Sequence, residues 1–215
     1  MTSIKLPGSD ADPNGYRGHG SRGRAAWQTI FFGLLLLIFL LGVTALVLYL
    51  VYRPSEPRFT VLSAAVYDIN ATAPDTAAVS VSLQFTLAIR NPSERSVVIY
   101  DRLGAYVVYR EQAITPVTPL PPLNQEKDST VMVSPVLGGA DVPVSPEVMR
   151  GLATDRAYGL VAVRLVVQGR VKYKAGPFKS PWYGLFVKCD LLVGVKKGKL
   201  GQVPLLGAGY CSVHT

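Results

Sequence analysis

Basic side chains are concentrated in the last third of the sequence, where they could bind a negatively charged partner. Between positions 164 and 199, nine basic residues stand against one acid, Asp190, which gives a net charge of +8. The nine are Arg164, Arg170, Lys172, Lys174, Lys179, Lys188, Lys196, Lys197 and Lys199. Arg170, Lys172 and Lys174 are spaced two apart, so on a β-strand they share one face. We predict that this face binds anionic lipid, an acidic wall polysaccharide or an acidic protein, or that it is simply solvated and protects the sheet from aggregation.

Residue types that carry out catalysis are scarce. The sequence contains two histidines, His19 and His214. After position 52 it contains no Gly-x-Ser-x-Gly elbow, phosphate-binding loop or dinucleotide fingerprint. Twelve acids follow that position, and their spacing singles out no catalytic pair. We therefore predict a protein that is not an enzyme, with no catalytic residue, cofactor or metal ion.

Two covalent modifications are predicted in the same part of the chain. Cys189 and Cys211 are candidates for a disulfide, and the alternative is two buried free thiols. Asn70-Ala71-Thr72 is a glycosylation sequon, so Asn70 is the candidate acceptor. Both predictions require that this part of the protein lies outside the cytoplasm.

An apolar segment near the N-terminus predicts how these residues are held at a membrane. The 215-residue chain is 49% hydrophobic and only 17% charged, which excludes a chain disordered throughout. Much of the excess lies between Trp27 and Val51, where 25 residues carry no charge. As a helix they would be about 37 Å long, enough to cross a hydrocarbon core of ~30 Å. A cleaved signal peptide would have a shorter apolar region, of about 7–15 residues.

Basic residues near the two ends of this segment predict its orientation. Arg17, Arg22 and Arg24 precede it, whereas Arg53 and Arg58 follow it. This bias favours a cytoplasmic N-terminus, with the C-terminal part facing the lumen or the cell exterior. We predict a disordered cytoplasmic tail over 1–26, a transmembrane helix over 27–52, a stem over 53–58 and a folded domain over 59–215. Nucleic acid is not an expected partner for an extracellular domain.

The domain itself has the pattern of an antiparallel β-protein. Apolar residues alternate with small or polar ones over Val79–Ile89, which predicts a strand buried on one face. Further strands are predicted at Phe59–Ile69, Val97–Tyr100, Gly104–Tyr109, Ser129–Val136, Gly159–Tyr173 and Tyr183–Val195. One helix is predicted from the N-cap Ser145 and Pro146 to about Thr154. About seven strands and one short helix favour an immunoglobulin- or fibronectin III-like β-sandwich, with an up-and-down barrel as the alternative.

A set of short motifs in this domain resembles one plant family. Asn91-Pro92-Ser93, followed by Ile99-Tyr100-Asp101, is similar to the first motif of the harpin-induced and non-race-specific disease resistance-like proteins. Four further segments match in the same order: Tyr109–Gln112, Leu120–Gln125, Val171–Gly176 and Lys188–Asp190. Ser93 and Val98 depart from the family pattern. The resemblance identifies the domain as the late-embryogenesis-abundant group 2 type, also called the water-stress and hypersensitive-response domain.

This resemblance implies a function. It implies a membrane-anchored, non-enzymatic protein of defence and stress responses, commonly at the plasma membrane. Our first hypothesis is that the sandwich is an extracellular interaction module that holds the membrane to the wall or to partner proteins. A second hypothesis is a lipid-binding sandwich that holds an acyl chain in an apolar interior. A continuous apolar cavity would favour the second hypothesis, and a filled core would count against it. Asn91 is interpreted as a turn-forming residue, since Pro92 cannot continue the strand ladder.

Overall fold

The computed structural model describes residues 21–52, 55–70, 78–195, 201–207 and 209–215. The chain divides into two compact units, Met1–Arg53 and Pro54–Thr215. Residues 1–20 of the predicted tail (1–26), part of the stem (53–54), and Lys196, Lys197 and Lys199 of the basic stretch lie outside the described residues. The sequon is outside them too, apart from the backbone of Asn70.

The first unit contains one helix, α1 (Ser21–Tyr52). Its segment Trp27–Tyr49 has a mean hydropathy of 2.9 and is long and apolar enough to cross a membrane. The hydroxyl of Thr44 donates to the Leu40 carbonyl at 2.8 Å, so this polar group needs no water. The helix begins six residues before the predicted Trp27, because arginine and alanine at positions 22–26 favour helix although they are not part of the apolar pattern.

The second unit is built from thirteen described strands and one helix. The strands are β1 (Arg58–Asn70), β2 (Ala78–Arg90), β3 (Val97–Tyr109), β4 (Gln112–Ala113), β5 (Thr118–Pro119), β6 (Leu123–Gln125), β7 (Thr130–Val133), β8 (Val136–Pro143), β9 (Leu160–Ala175), β10 (Phe178–Lys179), β11 (Tyr183–Gly194), β12 (Gly201–Val203) and β13 (Ser212–His214). The helix is α2 (Pro146–Tyr158). Six of the strands have eight or more residues, and five of them, β1, β2, β3, β9 and β11, correspond to predicted strands. The sixth, β8, was not predicted, because its Gly138-Gly139 indicated a turn; the strand predicted at Ser129–Val136 is the shorter β7.

The strands form two antiparallel sheets that pack face to face. Sheet 1 has the order β12-β1-β2-β7, and β8 also pairs with β2. Sheet 2 has the order β13-β11-β9-β3-β4, with β10 beside β9 and with β5 and β6 beside β3. The predicted sandwich with one short helix is thus confirmed, and the barrel alternative is wrong.

Alternating side chains build the core between the sheets. Val79 to Ile89 of β2 are buried at every odd position, as the sequence pattern predicts. The ring of Phe59 in sheet 1 meets that of Tyr100 in sheet 2 edge-on, with centroids 6.3 Å apart. Inside the sandwich, a void lined by Val66, Leu83 and other apolar side chains has a volume of only about 10 Å³. This core is therefore filled.

A bulge joins two predicted strands into one. β3 runs without interruption from Val97 to Tyr109, but Asp101 pairs with Arg170 and Gly104 with Gln168, so β3 carries one extra residue. Arg102 takes a positive φ of 52° there. The bulge is possible because residue 169 is glycine: a Cβ at that position would lie 2.8 Å from Leu103 Cδ2. Bulges turn side chains out of a sheet, and this one occurs beside Arg170.

Helix α2 begins where predicted and ends later. The Ser145 hydroxyl accepts from the Val148 N–H at 3.3 Å, and Pro146 opens the first turn. The helix continues four residues beyond Thr154 because the first residue able to cap it is Gly159, which has a φ of 85°. The guanidinium of Arg156 donates to the Ile69 carbonyl and so ties the helix to β1.

Candidate interaction surface on sheet 2

The outer face of sheet 2 carries the predicted row of basic side chains. Along β9, Val171 and Tyr173 are buried, whereas Arg170, Lys172 and Lys174 are not. The row therefore lies on the outer face, as its spacing predicts. Lys172 is opposite Ile99 of β3, and Lys174 is opposite Val97. Apolar neighbours of this kind do not neutralise the two ammonium groups.

Arg170 differs from the two lysines because an acid from another strand reaches it. Its Nη2 donates to Asp101 Oδ2 at 3.2 Å, and Arg102 Nε lies 3.7 Å from the same oxygen. The expectation that Asp190 alone opposes the basic stretch is therefore corrected: cross-strand register brings in Asp101. One carboxylate stands against two guanidinium groups, so the site keeps a positive charge.

The indole ring of Trp182 lies beside this row, and the sequence did not predict this contact. Arg170 Cζ lies 5.8 Å from the centroid of the indole, and Lys172 Nζ lies 5.3 Å from it. These are cation–π distances. The indole is 41% exposed. The sequence shows an aromatic Pro-Trp-Tyr segment after a turn. The contact of the ring with the two cations became visible only in the structure, because it depends on the pairing of β11 with β9.

Lys188 of β11 extends the charged surface. Its Nζ lies 5.1 Å from the centroid of the Phe186 ring. We call the set Arg102, Arg170, Lys172, Lys174 and Lys188 the basic patch. With Asp101 counted against it, the basic patch has a net charge of +4. Neither Lys172 nor Lys174 forms an ion pair with any acid in the described part of the chain.

The opposite end of the same face is electrically balanced. Arg164 donates from Nε to Asp190 at 2.6 Å and from Nη1 to Glu111 at 2.8 Å. These hydrogen bonds, first that to Asp190, raise the pKa of Arg164. An open groove of about 700 Å³ lies here, and Tyr109 and Asp155 also line it. Its arginines are paired, so it presents little net charge to a ligand.

Tyr109 anchors α2 at this end. Its ring is buried and its hydroxyl donates to Asp155 Oδ2 at 2.6 Å. Burial, with the hydrogen bond to Asp155 second, raises the pKa of Tyr109 to about 12. The phenol therefore stays protonated at neutral pH, as its donor role requires.

The cysteines are joined in a disulfide with an S–S distance of 2.04 Å. Cys189 is buried on the inner side of β11. The segment that contains Cys211 runs beside β1, where the Cys211 N–H donates to the Phe59 carbonyl at 3.3 Å. The bond thus connects a sheet 2 strand to a segment that pairs with sheet 1.

The motif that begins at Asn91 supports the fold. The Asn91 side chain is fully buried; its Nδ2 donates to the carbonyls of Ser96 at 2.8 Å and Glu126 at 2.9 Å. Its Oδ1 accepts from the Ser93 N–H at 3.1 Å. Asn91 therefore holds the turn that carries the chain from sheet 1 to sheet 2, beside Pro92.

The later motif residues divide between the core and the surface. The Tyr100 hydroxyl donates to the buried amide of Gln125, and burial raises the pKa of Tyr100. Ile99 lies on the outer face, and Asp101 holds Arg170. One end of the motif thus belongs to the basic patch.

The filled interior counts against the second functional hypothesis. A void of about 10 Å³ is roughly the size of one water molecule and cannot hold an acyl chain. Any ligand of this sandwich interior would have to displace core side chains.

Comparisons with known proteins agree with the motifs. The chain is 34% identical over 175 residues to NDR1/HIN1-like protein 1 of Arabidopsis thaliana, which covers 81% of this chain and 84% of the relative. It is 30% identical to NDR1/HIN1-like protein 26 (78% and 75%) and 31% identical to NDR1/HIN1-like protein 12 (82% and 86%), both from the same plant.

Two further comparisons give no information about function. No model of a protein family matches the chain. A crystal structure of a protein from Archaeoglobus fulgidus aligns with 64% of this chain and 98% of its own, at 11% identity and a TM-score of 0.32. The late-embryogenesis-abundant assignment of the domain stays a prediction. The sequence relatives, together with the ordered motifs, show that the chain belongs to the NDR1/HIN1-like family.

Proposed function

We propose that this protein is a non-enzymatic defence and stress-response protein, anchored by one membrane span, whose extracellular β-sandwich binds a partner at the plasma membrane. Family membership supports the biological role. The apolar segment of α1 supports the anchor, since its 23 residues suffice to cross a bilayer. The basic residues before this segment support a cytoplasmic N-terminus.

The main observation that supports the proposal is the basic patch, which lies on the outer face of a sandwich whose interior is filled. Within this patch five cations stand against one acid, and Trp182 is exposed beside two of the cations. Exposed charge of one sign attracts partners of the other sign and speeds their association. Recognition of an anionic surface would therefore explain why the cationic side chains are concentrated in the basic patch.

The side chains best suited to catalysis are placed unfavourably for it. Both cysteines are disulfide-bonded, so neither is a free thiol nucleophile. His214, the histidine within the described residues, is exposed on the short strand β13 opposite Phe186. With neither cysteine free and His214 exposed on an edge strand, these side chains support a binding role over catalysis.

Topology is the experiment that tests this proposal. The full chain, with different tags at its two ends, is expressed in plant protoplasts that are then treated with protease. We expect the C-terminal tag to be lost and the N-terminal tag to remain attached to α1. Detergent should expose both tags, which controls for intrinsic resistance.

Two outcomes would contradict the proposal. Protection of the C-terminal tag in intact protoplasts would place the domain on the cytoplasmic side. Separation of the N-terminal tag from the mature domain before protease is added would identify the apolar segment as a cleaved signal sequence. Either result would remove the anchor or the orientation on which the proposed function depends.

A further inference from the structure

A trough crosses the middle of the sheet 2 outer face next to the basic patch. It is open and has a volume of about 700 Å³. Its lining includes Arg102, Gln168, Arg170, Gly184, Phe186 and His214. Gly184 is opposite Arg170, and a Cβ built on it meets no atom within 4 Å. The trough exists at that point because one outward position has no side chain.

The chemistry of the trough combines positive charge with an aromatic ring. We propose, on the basis of the interaction function above, that the trough and the basic patch bind an acidic polysaccharide built of uronate sugars. A uronate unit has a carboxylate, several hydroxyls and an apolar face of C–H groups. Arginine donates to carboxylates in a bidentate geometry, and lysine supplies point charges. An exposed indole covers apolar area.

Arg170 and Trp182 are the residues that join these two kinds of contact. Arg170 bonds Asp101 through Nη2 and its Nε is buried, so the other N–H groups of the guanidinium end are the donors that remain for a ligand. Trp182 lies beside Arg170 and Lys172. A sugar ring on the exposed part of the indole would place its carboxylate close to both cations.

The exposed indole favours a sugar chain over a membrane surface, because sugar rings present apolar C–H faces to an aromatic ring and lipid phosphates do not. The trough is shallow and open, and residues of β3, β9, β11 and the edge strand β13 line it. A flexible polymer chain can lie in it and place successive carboxylates along the lysines, which are about 7 Å apart at alternate positions of a strand.

Binding to oligogalacturonate tests the proposal. The full chain is reconstituted in nanodiscs of neutral phosphatidylcholine, and affinity is measured with labelled oligogalacturonate at low and high salt. We expect saturable binding that weakens as salt screens the charges. Lys172→Gln with Lys174→Gln should weaken binding by about tenfold, as expected for the loss of two exposed ionic contacts.

Two further variants separate the shape of the site from its charge. Gly184→Glu should abolish measurable binding, because it fills the trough and adds a negative charge where the backbone tolerates a side chain. Trp182→Ala should weaken oligogalacturonate binding by about fivefold but leave binding of polyglutamate, an anion without sugar rings, unchanged. Melting temperatures confirm that each variant is folded.

A matched control removes the same charge elsewhere. Arg110→Gln with Arg150→Gln lowers the net charge equally at the α2 end of the sandwich, and we expect its affinity to equal that of the unmodified chain. Equal weakening by this control would overturn the proposal, since it would show attraction by overall charge alone.

Three other results would also overturn the proposal. They are the absence of oligogalacturonate binding, binding of phosphatidylserine nanodiscs or an acidic peptide in its place, and a Trp182→Ala variant that binds oligogalacturonate as the original chain does. None of them would touch the topology experiment, so an anchored module with another kind of partner would survive them.

Discussion

The two sheets bury similar inner faces but present very different outer faces. The outward positions of β2 in sheet 1 carry no charge from Ser80 to Ala88, and Arg90 at the end of the strand is paired with Asp128. The outward positions of β9 in sheet 2 include Arg164, Arg170, Lys172 and Lys174. Because either composition suffices for a solvated sheet, the fold does not require the cations. Their concentration on one sheet is the observation on which the proposed interaction function depends.

The largest expected effect concerns the disulfide that joins β11 to the segment directly before β13. Cys189→Ala with Cys211→Ala should lower the free energy of unfolding by roughly 3 kcal/mol, since the bond closes a loop with a sequence separation of 22. Thermal unfolding of the full chain should show a melting temperature about 6 to 12 °C lower.

The neighbouring Ser212→Ala provides the control, because its hydroxyl makes only one exposed hydrogen bond, to the Lys188 carbonyl. A double-cysteine variant that melts where this control melts would show that the edge of sheet 2 needs no covalent support.

The turn between the two sheets should give the second-largest effect. Asn91→Ala removes donors from two carbonyls in a buried site, and we expect a loss of about 2 kcal/mol in the free energy of unfolding. Glu94→Ala, an exposed change in the same turn, should have little effect. Equal urea midpoints for the two variants would contradict the structural role given to the motif.

Alkaline pH should act through sheet 2, because its inner face holds Tyr100, Tyr109 and Tyr173. Burial first, and then the charge of Glu56, raises the pKa of Tyr173 to about 12, above the value near 10 of an unfolded chain. Folding therefore favours the neutral phenol. Its contribution to stability is complete below pH ~10 and is lost as pH rises toward about 12.

The variant Tyr173→Phe tests whether ionisation of Tyr173 causes this loss of stability at high pH. Urea midpoints measured from pH 8 to 12 should fall less steeply in this variant than in the original chain. The control is Tyr67→Phe on the outer face of sheet 1, which should follow the original curve. Identical slopes for Tyr173→Phe and the original chain would show that ionisation of this tyrosine does not limit stability.

The smallest effect on stability is expected for the charges that distinguish the two faces. Lys172→Gln with Lys174→Gln loses one cation–π contact but also relieves like-charge repulsion, so the free energy of unfolding should change by less than ~1 kcal/mol. Ser82→Ala with Thr86→Ala on sheet 1 should change it equally little. A loss above ~2 kcal/mol for the lysine variant alone would mean that the cations serve the fold.

The local features of this domain could be predicted from the sequence. The alternation over Val79–Ile89 predicts β2 to within one residue at each end, and Ser145-Pro146 predicts the start of α2. These features depend on neighbours in the chain. The end of α2 at Gly159 was missed because an apolar pattern stops before a helix cap does.

Features that depend on pairing could not be predicted. The short strands β4, β5 and β6 exist because β3 offers them an edge, and their own sequences carry no alternation. The contact of Asp101 with Arg170 depends on the register of β3 and β9, which a bulge sets. The position of Trp182 over two cations likewise follows from the return of β11, so the basic residues were predicted but the site was not.

The most direct test uses oxidisable side chains on both faces. Trp182 is 41% exposed on sheet 2, and Met132 is 65% exposed on sheet 1. Hydroxyl-radical footprinting of the full chain in neutral nanodiscs, with and without oligogalacturonate, reports both residues in one experiment. We predict that the ligand protects Trp182 from oxidation and leaves Met132 unchanged. Protection of Met132, or of neither residue at saturating ligand, would contradict the assignment of recognition to sheet 2.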